Sequence, residues 1–158
     1  MRIGMLNGGG DCPGLNAVIR AVVRKGEGVY GHNLVGFRYG WRGVVECQML
    51  DLTIASTRGI LHRGGTILGT SRTNPYKLSG DGADDAEKRP TEGVRRVLDT
   101  LGRERIDALV AIGGEDTLGV ASKLSDEGVR IVGVPKTIDN DLSATDLTLG
   151  FVTAVQVG

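Results

Sequence analysis

Cysteine, net charge and long apolar runs are all scarce in this chain. Cys12 and Cys47 are its only cysteines. Their separation fits no metal-ligand spacing and allows at most one bridge, so a reduced, cytoplasmic protein is expected. Basic and acidic residues balance at 19 each. A formal charge of zero leaves no electrostatic footprint for nucleic acid or an anionic membrane, so neither is an expected partner. No apolar run approaches the roughly 20 residues of a membrane span. The opening Met1-Arg2-Ile3-Gly4 reads directly as a strand, without a signal-peptide pattern. There is no internal repeat. The 158 residues are enough for one domain with a real core.

Glycine is the residue in excess. There are 26, against an average usage of about 7%. They cluster at turns, and so mark tight backbone approaches. Ile3–Leu6 reads as a strand that stops at Asn7-Gly8-Gly9-Gly10-Asp11. A helix is expected next, with Asp11 or Cys12 near its N-cap and Pro13 in its first turn. Leu15, Val18, Ile19 and Val22 recur at helical spacing. Arg24 and Lys25 would sit near its C-terminus, with Gly26 or Gly28 ending it. Leu34–Phe37 is a second strand, followed by a turn-rich loop at Tyr39–Gly43. Residues 44–63 are ambiguous, with a short helix expected around Ala55–Leu61. Gly64–Gly69 reads as a loop and short strand, and 77–90 as a mobile surface loop. Val94, Val97, Leu98 and Leu101 mark another helix. Ala108–Ile112 is a buried strand, Leu118, Ala121 and Leu124 the inner stripe of the next helix, and Ile131–Val134 the strand after it. Phe151–Gly158 should be helical. This alternation predicts an α/β fold with a mostly parallel sheet and helices on both faces.

Chemistry-bearing residues gather where the strands end, which is where open α/β sheets bind ligands. Gly8-Gly9-Gly10-Asp11 is either a phosphate-approaching turn or a tight turn with an N-cap aspartate. In Gly113-Gly114-Glu115-Asp116-Thr117 the acids directly follow the glycines. One acid is accounted for by the helix N-terminus, worth about 0.3–1 kcal/mol. Two beside a phosphate site fit Mg²⁺ better. Lys136 in Pro135-Lys136-Thr137-Ile138-Asp139-Asn140-Asp141 is either a fixed charge on a transferring phosphoryl group or one half of a surface pair. Asp139 and Asp141 share a face if the chain is extended, and one could be a general base. Asn140 and Asp141 could equally form a turn. Arg72 is a candidate phosphate clamp or an exposed loop cation. His62 and Trp41 read as structural.

Four segments in order resemble the phosphofructokinase family. They are Gly8–Ala17, Gly64–Arg72, Gly113–Thr117 and Pro135–Asp141. The resemblance covers nearly the whole chain. It implies a three-layer Rossmann-type fold and transfer of a phosphoryl group to the 1-hydroxyl of fructose 6-phosphate, with Mg²⁺. By position it implies that Gly9 and Gly10 approach the donor and that Arg72 holds the transferring phosphate. Glu115 takes the place of the metal-binding acid. Thr137 and Asp139 contact the sugar phosphate, with Asp139 as base and Asp141 in support. Members that use pyrophosphate resemble this chain at Asp116 and Lys136, whereas ATP users commonly carry glycine there. An aspartate at 116 puts charge and bulk where the α-phosphate of ATP must lie.

Asn7 departs from the usual threonine, and Val152 from a usually polar residue. The family's chains are about twice as long. Residues 1–158 are therefore expected to be the donor and catalytic-base domain, without the half that grips the sugar phosphate. They are expected to be inactive alone, and a homo-oligomer at full length. The alternatives are an ATP-dependent member and a non-catalytic phosphate-binding fragment. Lipid and NAD kinases share the glycine loop but not the Thr-Ile-Asp-Asn-Asp pattern.

Overall fold

Adjacent residues Met5 and Leu6 of the first strand are both fully buried. Since successive side chains of a strand point to opposite faces, both faces of its sheet must be covered. A computed structural model of the chain describes residues 1–78, 91–140 and 145–157. Among these the strands are β1 (Arg2–Asn7), β2 (Asn33–Phe37), β3 (Met49–Leu52), β4 (Ala108–Gly113), β5 (Ile131–Thr137) and β6 (Leu149–Gly150). They form one sheet in the order β3-β2-β1-β4-β5-β6. Only β3 runs antiparallel to its neighbour.

Met5 packs with Leu15, Ile19 and Val23 of helix α1 (Leu15–Tyr30) on one face. Leu6 packs on the other with α2 (Trp41–Val45), α3 (Glu92–Arg103) and α4 (Glu115–Asp126). The expected mostly parallel sheet between two helical layers is therefore observed. The chain passes from β1 through α1 to β2 on one side of β1. It later returns through α3 to β4 on the other side. The strand order thus reverses between β1 and β4, and a crevice opens at their carboxyl ends.

Several local expectations are corrected. Helix α1 begins at Leu15, after Gly14 in left-handed backbone at φ 93°. Asp11, Cys12 and Pro13 precede it, so none of them caps or opens it. It passes through Gly26 and Gly28 and ends at Gly31. A Cβ on Gly26 would lie 3.0 Å from Leu34 Cδ2. That glycine serves the approach of helix to strand, not termination. Arg24 and Lys25 are consequently mid-helix. Trp41–Val45 is helical, so Trp41–Gly43 of the expected loop and the first two of the ambiguous residues 44–63 belong to a helix. Residues 54–59 form turns instead of a helix. There Thr53 and Ser56 exchange side-chain-to-backbone hydrogen bonds of 2.8 and 3.0 Å, which compete with helix propagation. Gly64–Gly69 contains turns and no strand.

Helix α3 holds Val94, Val97 and Leu101 inward as expected, with Leu98 partly buried. The stripe of α4 is Thr117, Val120, Ala121 and Leu124, with Leu118 only partly buried. β5 is less buried than expected. Val132 is 62% exposed, because β6 meets β5 only at Lys136 and Thr137. Phe151–Val157 is helical, as α5. Residues 79–90, most of the expected surface loop, lie outside the described residues, as does Asp141. No helix among the described residues is long and apolar enough to cross a membrane.

Glycines that pack and glycines that do not should separate in stability. A Cβ on Gly43 would overlap the Arg38 carbonyl oxygen, whereas one on Gly119, exposed within α4, meets nothing within 4 Å. Gly43→Ala is expected to destabilise by about 1–3 kcal/mol or more through overpacking. Gly119→Ala is expected to stabilise by about 0.5–1 kcal/mol through helix propensity. Urea denaturation of the 158-residue chain checks both signs.

Candidate active site at the carboxyl ends of the strands

The two glycine turns are held together by Thr117, which is 4% exposed in the first turn of α4. A Cβ on Gly113 would lie 2.5 Å from Thr117 Cβ, and one on Gly8 would lie 2.8 Å from Thr117 Cγ2. Gly8 N also donates to the Ile112 carbonyl at 2.9 Å. From below, Trp41 Nε1 donates to the Thr117 carbonyl at 3.3 Å. Gly8 and Gly113 are therefore packing glycines. Gly9 and Gly10 are different. An added Cβ on Gly10 meets nothing within 4 Å, and one on Gly9 meets only Lys136 Nζ at 3.7 Å. The space beside them is free for a ligand, although the Gly9 amide is already held by the Ser71 carbonyl and the Gly10 carbonyl by Lys136.

Lys136 lies within β5, one residue before its end, and is only 5% exposed. Its ammonium donates to the Gly10 carbonyl. It is a buried cation placed under the glycine loop, and not half of a surface pair. Cys12, also buried, places its Sγ 3.6 Å from the Leu149 carbonyl. Burial pushes its thiol above the ordinary 9.0. The Lys136 ammonium pulls it back, and Asp11 adds to the rise.

The turn after β5 is pinned from outside. Thr148 Oγ1 donates to the Thr137 carbonyl at 2.6 Å, and Thr148 N donates to Asn140 Oδ1 at 2.9 Å. Asp139 N donates to Thr137 Oγ1 at 3.1 Å. Asp139 stands exposed on this held turn. Asn140 has φ 51°, so the backbone there is not extended. The alternation that would put Asp139 and Asp141 on one face does not hold, and Asp141 itself is outside the described residues.

Arg72 arrives on a segment without helix or strand. Its neighbour Ser71 accepts from Gly9 N at 2.9 Å and donates through Oγ to the Tyr39 carbonyl at 2.6 Å. All these pieces meet in one cavity of about 760 Å³. Gly9, Gly10, Arg72, Glu115, Asp116, Lys136, Thr137 and Asp139 all line it. Every candidate residue that the structure describes is thus brought together. Asp11, Cys12, Ser71, Thr73, Asn74 and Lys77 line it as well. In the sequence the signal for Lys77 is only a second cation beyond Arg72, which does not separate it from a solvated charge.

Glu115 and Asp116 are exposed in the first turn of α4. Among the described residues no group of three His, Cys, Asp or Glu could hold a metal by itself. One or two carboxylates at the rim of such a cavity suit Mg²⁺, which leaves its other positions to water and phosphate oxygens. The donor set fits that ion.

A mostly parallel sheet whose strand order reverses between two glycine turns, with a buried lysine and four carboxylates around the crevice, defines an α/β domain with its ligand site at the switch point. Residues 2–158 match the family described as Phosphofructokinase, and the chain belongs to it. It is 59% identical over 158 residues to the pyrophosphate–fructose 6-phosphate 1-phosphotransferase of Streptomyces coelicolor. That match covers 99% of this chain and 43% of the relative. It is 53% identical over 157 residues to ATP-dependent 6-phosphofructokinase 3 of the same organism, covering 99% of this chain and 42% of the relative. The crystal structure of Pichia pastoris phosphofructokinase in the T-state matches with a TM-score of 0.84 at 30% identity, over 98% of this chain and 17% of that one. The chain thus spans less than half the length of these relatives.

The Cys12 thiol gives the fold a pH signature. Its folded value lies above the unfolded one, so the folded state keeps a proton that the unfolded chain releases. This contribution to stability is fully present below about pH 9 and is lost as pH rises through the folded value. Melting temperatures between pH 8 and 10.5 should fall less steeply in Cys12→Ala than in the parent. Parallel slopes would show that the thiol does not contribute.

Proposed function

We propose that residues 1–158 are the phosphoryl-donor and catalytic-base domain of a pyrophosphate-dependent phosphofructokinase. The part of the relatives that this chain does not span would grip the sugar 6-phosphate. The reaction is transfer of a phosphoryl group from pyrophosphate to the 1-hydroxyl of fructose 6-phosphate. The full protein would be a cytoplasmic homo-oligomer in glycolysis. The observation that carries this reading is Lys136. It is buried under the glycine loop, in the cavity it shares with Asp116 and Asp139.

Each residue then has a role. Gly9 and Gly10 allow the donor close to the backbone. Arg72 and Lys136 bear on the phosphate that moves, where fixed positive charge stabilises the transition state. Thr137 and Asp139 meet the sugar, and Asp141 supports them. Asp139 takes the proton of the 1-hydroxyl. The hydroxyl oxygen bonds to the phosphorus as the bridging P–O bond breaks, and orthophosphate leaves with the bridging oxygen. Mg²⁺, held by Glu115 with Asp116 beside it, would neutralise charge on the phosphate oxygens.

A second reading, an ATP-dependent enzyme, is favoured by the 53% identity to a relative named for that donor. The two differ at Asp116. A carboxylate near the α-phosphate position repels a like charge, and about 1.4 kcal/mol suffices for a tenfold preference. In the full-length protein, kcat/KM is expected to favour pyrophosphate over ATP. Asp116→Gly should move that ratio toward ATP by about tenfold or more. A parent that prefers ATP, or a ratio unmoved by the substitution, would overturn the pyrophosphate assignment.

Asp139→Asn tests the base separately. It should lower kcat by about 10²–10⁴-fold while leaving pyrophosphate binding nearly intact. Turnover close to that of the parent would remove Asp139 from the mechanism.

A further inference from the structure

Arg72 reaches the cavity on a stretch that contains neither helix nor strand from residue 53 to 74. Something other than regular structure must fix it. Asn16, in the first turn of α1, is 2% exposed. Both ends of its amide are used on the backbone of this one stretch. Oδ1 accepts from Ile67 N at 2.9 Å, and Nδ2 donates to the Arg63 carbonyl at 3.0 Å. Beside it Asn7, fully buried at the end of β1, donates to Thr66 Oγ1. That hydroxyl in turn accepts from Leu68 N at 3.1 Å. The Leu68 carbonyl accepts from Tyr39 N at 2.8 Å, and the Ser71 carbonyl accepts from Gly9 N at 2.9 Å. A series of single hydrogen bonds therefore pins the chain from Arg63 to Ser71, the residue before Arg72, and Asn16 holds its first part.

From this geometry we infer that Asn16 is a positioning residue for Arg72. It acts by holding residues 63–67, so that the following residues leave a fixed point. Truncating it would orphan one amide and one carbonyl in a partly buried place and free the start of the series. The catalytic side of this inference rests on the proposed role of Arg72 in holding the transferring phosphate. Asn16 itself does not line the cavity. Misplacement of a catalytic group by about 1 Å can cost about 10²-fold in rate even when the change lies far from the chemistry.

The test is a double-mutant cycle in the full-length protein with magnesium pyrophosphate as donor. Asn16→Ala should lower kcat/KM by about 10–100-fold. In an Arg72→Ala background the same change should cost less than about twofold, since coupled sites are not additive. Equal losses in both backgrounds would overturn the inference, because a general loss of stability acts without regard to Arg72. Hydrogen exchange at the amides of residues 67–72, without ligand, should quicken in Asn16→Ala. Unchanged exchange would also overturn it. Should Asn16→Ala not fold, Asn16→Asp keeps the acceptor for Ile67 N and removes only the donor to the Arg63 carbonyl, and runs the same cycle with the same two criteria. Parent-like turnover in Arg72→Ala would instead sink the phosphate-holding role of Arg72, and with it the claim that Asn16 acts through that residue.

Discussion

The close packing of Thr117 against Gly8 and Gly113 is the constraint on which the rest of the site depends. β1 and β4 are adjacent in the sheet, and the chain leaves each of them in a different direction. Their two loops can lie side by side only if neither carries a side chain where α4 begins. Thr117 fills the space that those side chains would take. This brings the N-terminus of α4, with Glu115 and Asp116, against the glycine loop. It also lets the next strand, β5, deliver Lys136 beneath Gly10. A methyl group at Gly8 or Gly113 would push α4 outward and separate the carboxylates from the glycine loop.

Burial changes what Lys136 is worth. At the surface, a lysine near acids contributes about 0–1 kcal/mol and is screened by salt. At 5% exposure, with the Gly10 carbonyl as its hydrogen-bond partner, its charge acts through a lower effective dielectric. The same charge offsets part of the rise that burial gives the Cys12 thiol. The same field acts on any anion that enters the cavity.

The strong periodic elements were legible in the sequence, because apolar alternation and helical stripes report burial directly. β1, α1, α3, β4 and α4 all follow from such patterns. Glycine was less legible, since one residue type serves three purposes here. Gly14 and Gly31 turn the chain, Gly8, Gly26 and Gly113 admit a neighbour, and Gly9 and Gly10 leave the space beside them free. Nothing local in the sequence distinguishes these uses, which is why the ends of α1 were misplaced. The candidate site residues were legible because they lie in short motifs at strand ends. The burial of Lys136 was not, because it depends on a loop 126 residues away in the chain. Asn16 was hidden for the same reason: its partners lie 47 and 51 residues away.

The charge around the cavity carries the argument one step further. Arg72, Lys77 and Lys136 face Asp11, Glu115, Asp116 and Asp139. Among the described lining residues carboxylates outnumber cations by four to three, so these side chains alone do not attract a highly charged anion. The N-terminus of α4 offsets part of this. Under the proposed function the remainder would come from a divalent ion brought with the donor, which Glu115 would help to hold while Lys136 bears on the moving phosphate. On this view the acids at the rim do two things. Under the proposed function they would make the free anion a poor ligand and the metal-bound anion a good one, and Asp116 would limit how far along the donor that tolerance extends.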